Sequence, residues 1–283
     1  MRLCLTFARL SSTDHELSNV RSLLFAPGDD ERKLTGALAS AADGVVADLE
    51  DAVAPGAKDA ARETVSRVRP RIVRVNGADT PWFADDLALV AGLELDAVVL
   101  PKATPEAVAA LGSEGPPAVA IVETAQGLRQ AYETASAPRV AALVLGAVDL
   151  GAELGLEPRA DGLEILHARS RVVVDSAAAG IRAPFDIVHL DIADDAGLEE
   201  QCRFARSLGF RGKACIHPRQ VEIVNRVFAP SDRDIAWARN VIEAYEEGLE
   251  EGKGVLAVDG SMVDLPVVER ARRVLAEAER GSA

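Results

Sequence analysis

Short apolar runs alternate along the chain with longer stretches of helical period. The apolar residues are continuous within each run, which is typical of strands covered on both faces of a parallel sheet. Intervening stretches such as 30–42, 104–111 and 163–179 are long enough for crossover helices. The eight runs that predict strands are 22–26, 44–47, 72–75, 97–100, 118–122, 141–145, 187–190 and 213–216.

Eight strand–helix units within this length predict a (β/α)8 barrel, an α/β fold, with a doubly wound sheet as the alternative. The composition changes after Phe228, where a charged amphipathic helix, a glycine-containing break and a last helix follow. We therefore expect a barrel over 21–228 and a C-terminal helical extension over 229–283. Residues 1–20 carry two arginines before the first acid, faintly like a transit segment, and we interpret them as a disordered N-terminal segment.

Composition and net charge limit the kinds of molecule that the protein is expected to bind. Of the 283 residues, 48% are apolar, which suits a globular chain, and the net charge of −14 opposes a broad nucleic-acid surface. A local arginine cluster can still bind a small anion. No apolar run approaches the roughly 18 residues that cross a bilayer. The three cysteines are too widely spaced for a disulfide framework or a zinc pattern, so we expect a reducing, cytoplasmic location.

Polar side chains stand at or next to the ends of most predicted strands. The catalytic face of such a barrel lies at the carboxyl ends of its strands, so these side chains are expected to converge on one rim. That convergence indicates an active site. The residues concerned are Asp48, Glu50, Asp51, Arg74, Asn76, Lys102, Glu123, Asp149, Asp186 and His217.

Glu123 and Asp149 are the strongest metal candidates, because each follows an apolar strand where an unpartnered charge would be costly. Two carboxylates without a nearby His or Cys suit Mg²⁺, which keeps water ligands. Helix capping or pairing with arginine is the alternative for both residues.

Arg74 lies between two valines of a predicted interior strand, where its guanidinium can bind a carboxylate or an oxyanion through two hydrogen bonds. A buried ion pair with Glu50 or Asp51 is the alternative, and both roles are compatible. Asp48, Glu50 and Asp51 can order water or position Arg74, and Asp51 can equally cap a helix. His217 reads either as a base or as a core histidine, while the pattern around His189 favours a structural role.

Several segments together resemble the citrate lyase β-subunit-like branch of the HpcH/HpaI aldolase superfamily, over about residues 21–279. The matching residues are those of 21–28 (RSLLFAPG), 48–53 (DLEDAV), Lys58 with Arg62, 74–76 (RVN), 100–102 (LPK), 123–124 (ET), 146–150 (GAVDL), 209–218 (GFRGKACIHP) and 259–266 (DGSMVDLP).

The resemblance implies a Mg²⁺-dependent TIM barrel that makes or breaks a carbon–carbon bond in malyl-, methylmalyl- or citramalyl-CoA. It implies that Glu123 and Asp149 hold the metal and that Arg74 binds substrate. Family members place basic residues near the CoA phosphates at the start of the first helix, where Arg32 and Lys33 stand here; a solvated surface pair is the alternative. The short-chain aldolase branch carries a Glu-His pair where this chain has Glu50-Asp51, which favours the CoA-thioester branch.

The tail also matches the family. Residues 259–266 resemble a lid that reaches into a neighbouring subunit in malyl-CoA lyase-like relatives, and Asp264 matches the aspartate proposed there as acid or base. A turn carboxylate before a proline is the alternative. The resemblance implies a homo-oligomer, either a trimer or a hexamer built from trimers. Two other functions stay open: a citrate lyase β-type subunit acting on an acyl-carrier-protein thioester with partner subunits, and a CoA-independent 2-oxo acid aldolase.

Overall fold

A computed structural model describes residues 17, 19–159, 161–250, 252, 254–258 and 260–280. The chain divides into two compact units, here called the barrel unit and the C-terminal unit. The boundary along the sequence lies between Arg226 and Val227. Within the described ranges, no helix combines the length and apolarity needed to cross a membrane.

Eight parallel strands of the barrel unit close into a barrel in sequence order, with β1 paired to both β2 and β8. This confirms the predicted (β/α)8 barrel and rules out the doubly wound sheet, whose edge strands would remain unpaired. The strands are β1 (Ser22–Pro27), β2 (Gly44–Asp48), β3 (Ile72–Arg74), β4 (Ala97–Leu100), β5 (Ala118–Val122), β6 (Val140–Leu145), β7 (Phe185–Asp186) and β8 (Gly212–Cys215).

Helices follow the strands, some of them divided into shorter pieces. Asp30, Thr104, Thr124 and Asp194 begin four of them, each accepting a hydrogen bond from a backbone N–H three residues on. The helices are α1 (Glu31–Leu38), α2 (Lys58–Val68), α3 (Phe83–Ala91), α4 (Pro105–Ala110), α5 (Ala125–Arg129), α6 (Ala131–Ala135), α7 (Ala147–Leu154), α8 (Leu166–Ala179), α9 (Asp195–Leu208) and α10 (Val221–Phe228).

Alternation along the strands decides which polar side chains reach the barrel mouth. The interior cluster includes Val46 of β2, Ile72 of β3 and Ile121 of β5. Since strand residues two apart share a face, Asp48, Arg74 and Glu123 continue the interior rows at their carboxyl ends. The barrel core thus ends in a layer of charged side chains.

Two sequence expectations need correction. The seventh strand is Phe185–Asp186 rather than 187–190; Phe185 is fully buried in the interior cluster. Residues 1–16 and 18, most of the segment expected to be disordered, lie outside the described residues. Leu17 and Val20, however, are buried in the interior cluster, so the packed chain begins before residue 21.

The C-terminal unit has its own small core. It contains α11 (Asp232–Glu250), an antiparallel hairpin of β9 (Leu256–Val258) and β10 (Ser261–Val263), and α12 (Leu265–Arg280). Val241 and Val268 are buried in this core together with Val263 of the hairpin. Asp264 is half-buried, and its carboxylate and carbonyl both accept the N–H of Val267. Asp264 therefore caps the first turn of α12.

Candidate active site

Asp48 organises the loop after β2. Its Oδ1 accepts the N–H of Glu50 at 2.8 Å and its Oδ2 accepts the N–H of Ala52 at 3.1 Å. The same two oxygens accept from Nε and Nη2 of Arg74, and Asp48 is only 1% exposed. A buried carboxylate is tolerated here because a guanidinium and two amides satisfy it.

Arg74 is held between three acids. Its Nε lies 2.6 Å from Asp48 Oδ1, and its Nη1 lies 2.8 Å from Glu50 Oε2 and 3.7 Å from Asp51 Oδ2. Burial opposes the charged form, but Asp48 and the two other carboxylates outweigh it and raise the pKa of Arg74 above its ordinary value. The ion pair anticipated with Glu50 or Asp51 is thus present, but its main partner is Asp48, reached by adjacent pairing of β2 and β3.

Glu50 lies between two cations. Its Oε2 meets Arg74, and its Oε1 lies 3.1 Å from Lys102 Nζ. Burial, together with the charge of Asp51, raises the pKa of Glu50 despite these cations. Glu50 is therefore paired with two cations, yet its pKa stays above the ordinary value for a glutamate.

Glu123 directly follows β5 and is 4% exposed. Its Oε1 accepts the backbone N–H of Lys102 at 2.7 Å. Burial, and then the charges of Glu50 and Asp149, raise its pKa to about 7. Gly146, after β6, makes room for it: a Cβ there would lie 2.4 Å from the Cβ of Glu123. Only glycine fits beside this side chain.

Asp149 lies in the first turn of α7, which begins directly after Gly146, and its side chain is exposed. Its charge acts on Glu123, so the two carboxylates predicted as a metal pair are neighbours. The structure thus brings together Asp48, Glu50, Asp51, Arg74, Lys102, Glu123 and Asp149.

The donor set of this cluster fits a divalent cation. Five carboxylates lie among three cations; Asp48 and Glu50 are engaged by Arg74 and Lys102, whereas Glu123 and Asp149 offer hard oxygen ligands of the kind that Mg²⁺ prefers. In the part of the chain that the structure describes, no three His, Cys, Asp or Glu side chains are placed to share one ion. Because Mg²⁺ prefers six ligands, an ion held by Glu123 and Asp149 would leave coordination positions for water and substrate. The carboxylates are Asp48, Glu50, Asp51, Glu123 and Asp149, and the cations are Lys58, Arg74 and Lys102.

Lys58 supports this cluster although the sequence analysis gave it no role in the site. Its buried Nζ donates to the carbonyls of Leu49 and Glu50 at 2.7 and 2.8 Å, and it lies 5.0 Å from the ring centroid of Trp82. A lysine in the first turn of a helix interacts unfavourably with the helix dipole. This placement is the one feature of the sequence that indicates a special role for Lys58.

Asn76 is held in place by the carboxylate of Asp86 in α3. Its backbone N–H and its Nδ2 both donate to Asp86 Oδ2, while Arg62 Nη1 donates to Asp86 Oδ1. Asp86 is fully buried. Asn76 therefore belongs to a supporting network that fixes the chain after β3.

Asp186 is not part of the rim, which corrects the sequence analysis. Because Phe185 faces the barrel interior, Asp186 faces the helix layer, where it pairs with Arg169 of α8 at 2.9 Å and Lys213 of β8 at 2.8 Å. Arg169, Asp186 and Lys213 are all almost completely buried. Lys213 and Arg169 hold the pKa of Asp186 below its usual range against the opposing effect of burial.

The histidines have local roles. His217 is exposed, and its Nδ1 accepts the N–H of Arg219 at 3.1 Å, as a cap does. His189 is buried, with its Nε2 3.4 Å from Asp194 Oδ2. Arg32 and Lys33 are both exposed on α1, where Lys33 pairs with Asp30 at 3.2 Å.

A closed eight-stranded barrel with buried acids and an arginine at the carboxyl ends of its strands has the architecture of an enzyme. The family model of the HpcH/HpaI aldolase/citrate lyase family matches residues 21–218. The chain belongs to this family and is a lyase.

Known relatives agree over nearly the whole length. The chain is 41% identical over 277 residues to a (3S)-malyl-CoA thioesterase of Cereibacter sphaeroides, covering 94% of this chain and 96% of that protein. It is 36% identical to the citrate lyase subunit beta of Escherichia coli strain K12, covering 92% and 93%. Among solved structures, CitE of Mycobacterium tuberculosis in complex with magnesium, acetoacetate and coenzyme A is 37% identical with a TM-score of 0.83, covering 93% and 99%.

Proposed function

We propose that this protein cleaves or forms a carbon–carbon bond in a 3-hydroxyacyl-CoA, using Mg²⁺. Malyl-, methylmalyl- and citramalyl-CoA are the substrates of this class, and the products of cleavage are acetyl- or propionyl-CoA and a 2-oxo acid. The observation that carries the proposal is the rim itself, where buried Glu123 and neighbouring Asp149 stand beside an arginine held by Asp48 and Glu50. The solved relatives bound to magnesium, with acetoacetate and coenzyme A or with oxaloacetate, support it.

Glu123 and Asp149 would hold the ion. When bound, Mg²⁺ supplies Lewis acidity, which lowers the pKa of the substrate hydroxyl and stabilises the negative charge left by its proton. The pKa of Glu123 is raised partly because negative charge accumulates around it. A cation bound nearby would offset that negative charge and favour the ionised form of Glu123.

Arg74 would stabilise the oxyanion that develops on the thioester oxygen when the carbon–carbon bond breaks. Its side chain is 11% exposed, so its charge acts in a pocket from which most water is excluded. Asp48 and Glu50 fix its orientation, and the exposed Asp51 lies at its outer edge.

Asp264 would give a proton to the acetyl carbon in cleavage or remove it in condensation. We place it in the active site of a neighbouring subunit of a homotrimer or of a hexamer of trimers, as the sequence resemblance implies. Arg32 and Lys33 are the candidate contacts for the CoA phosphates, since both side chains are exposed at the start of α1.

Hydrolysis of the thioester is the second candidate, favoured by the relatives named (3S)-malyl-CoA thioesterase. In that reaction water adds to the thioester carbonyl, the carbon–sulfur bond breaks, and CoA leaves as the thiol. Glu50 or Asp51 would accept the proton of the attacking water.

One experiment separates these activities. The protein is incubated with Mg²⁺ and a panel of 3-hydroxyacyl-CoA thioesters, with EDTA as the control, and the products are identified by mass spectrometry. Carbon–carbon cleavage yields a shorter acyl-CoA and a 2-oxo acid, whereas hydrolysis yields free CoA and the intact hydroxy acid. The assay is repeated with acyl-carrier-protein thioesters and with free 2-oxo acids, and turnover of only one of these would replace the proposal by the corresponding alternative.

A further inference from the structure

Lys102 has an unusual backbone conformation at the barrel mouth. Its φ is +48°, a left-handed value that few non-glycine residues adopt. Two other non-glycine residues in the described ranges have positive φ, and both have structural reasons. Arg69 ends α2. Arg139 lies directly before β6, and its guanidinium donates to three backbone carbonyls. Lys102 ends no helix, and left-handed backbone at an active site is a mark of function.

The backbone N–H and the ammonium of Lys102 bind two different carboxylates of the site. Its backbone N–H donates to Glu123 Oε1 at 2.7 Å, while its Nζ lies 3.1 Å from Glu50 Oε1. Lys102 thereby connects the loop after β2 with the residue that follows β5. Glu50, Glu123 and Asp51 all act on its charge.

Of the three cations in the cluster, Lys102 is the most open to a ligand. Lys58 is 5% exposed and is committed to two carbonyls. The Arg74 side chain is 11% exposed, and each of its three nitrogens contacts Asp48 or Glu50, which leaves two of its five N–H donors for substrate. The Lys102 side chain is 44% exposed, and an ammonium has three donors, of which Glu50 takes one. Of these three cations, Lys102 is therefore the most exposed one with donors available to an anionic ligand.

We propose that Lys102 is a catalytic residue whose ammonium binds the carboxylate of the 2-oxo acid half of the substrate. This inference rests on the proposed function and adds a contact to it. Glu50 would hold the ammonium in place, Glu123 would remain fixed by the Lys102 amide, and Arg74 would be left to stabilise charge on the thioester half.

The test compares Lys102→Met and Lys102→Arg with wild type by calorimetry. Three ligands are titrated: Mn²⁺ alone, pyruvate in the presence of Mg²⁺, and acetyl-CoA in the presence of Mg²⁺. A charge-assisted hydrogen bond of this kind corresponds to roughly 10- to 100-fold in affinity. We expect Lys102→Met to raise the Kd for pyruvate by about that factor, Lys102→Arg to recover part of the loss, and the affinities for Mn²⁺ and acetyl-CoA to change by less than about threefold.

Arg226→Met is the matched control, because it also removes one half-exposed cation, paired with Glu199 on the helix layer. It should bind all three ligands as wild type does. Unchanged pyruvate affinity in Lys102→Met would overturn the inference while leaving the proposed function intact. Loss of Mn²⁺ binding in that variant would also overturn it, because the Lys102 side chain would then act by supporting the metal site rather than by binding the carboxylate. If wild type itself binds Mn²⁺ but no 2-oxo acid, the proposed function falls and the inference with it.

Discussion

Replacing Arg74 by lysine should remove most of the activity even though the positive charge is kept. The guanidinium contacts both oxygens of Asp48 and one oxygen of Glu50 from three different nitrogens. A lysine ammonium is a single point on a flexible stem and cannot reproduce this fork.

The magnitude follows from the contacts. Losing one preorganised charge-assisted donor at a developing oxyanion costs about 2–4 kcal/mol, or roughly 30- to 1000-fold in rate. Stability should fall as well, since Asp48 is 1% exposed and would lose part of its pairing. We expect a loss of about 2–3 kcal/mol in the free energy of unfolding for Arg74→Lys. Arg74→Met leaves Asp48 uncompensated and should lose about 3–5 kcal/mol.

The assay combines steady-state kinetics at saturating Mg²⁺ with urea unfolding of each variant. Arg67→Lys is the matched control, because Arg67 is exposed and pairs with Glu31 on the surface, where such a change is worth less than about 0.5 kcal/mol. Kinetics are measured well below the unfolding transition, so that the two effects are separated. Wild-type kcat/KM in a folded Arg74→Lys protein would refute the role given to the guanidinium.

Three further predictions concern the metal and the lid. Asp149→Ala should abolish Mg²⁺ binding by calorimetry without unfolding the protein, because Asp149 is exposed on α7; unchanged affinity would contradict its role as a ligand. Without metal, Glu123 keeps its proton up to about pH 7 when folded but only to about 4.5 when unfolded, so wild type in EDTA should lose stability as the pH rises between these values. Glu123→Gln should lack this part of the slope in thermal unfolding, and parallel curves for the two proteins would argue against the raised pKa. Mixing inactive Asp149→Ala with inactive Asp264→Ala should restore part of the activity after subunit exchange if the lid acts on a neighbour, whereas exchanged mixtures that stay inactive would show that it does not.

The sequence predicted the barrel well because burial on both faces leaves a clear pattern. Seven of the predicted strands overlap the observed ones, but β7 has only two residues, too few for a recognisable apolar run. The apolar run at 187–190 predicts a strand there instead, and Asp186, expected at the rim, faces the helix layer. A shift of one residue in a strand exchanges the two faces.

The rim residues could be selected from the sequence, but their pairing could not. Asp48, Arg74 and Glu123 end or directly follow strands, which the pattern reveals. That Asp48 rather than Glu50 is the main partner of Arg74 depends on the register between β2 and β3. The left-handed backbone of Lys102 and the space beside Gly146 are likewise properties of the folded chain, without a signal in one sequence.

The shortness of β7 has a consequence for how the barrel stays closed. It pairs with β6 at one position and with β8 at two, so backbone hydrogen bonding is weakest along this seam. The ion triad of Arg169, Asp186 and Lys213 lies on the outer side of the same seam and ties β7 to β8 and α8 through side chains. Because these charges are buried, dissolved salt screens them little. The seam should therefore resist high ionic strength, whereas removing any one of the three charges would leave a buried partner uncompensated and weaken the closure of the barrel.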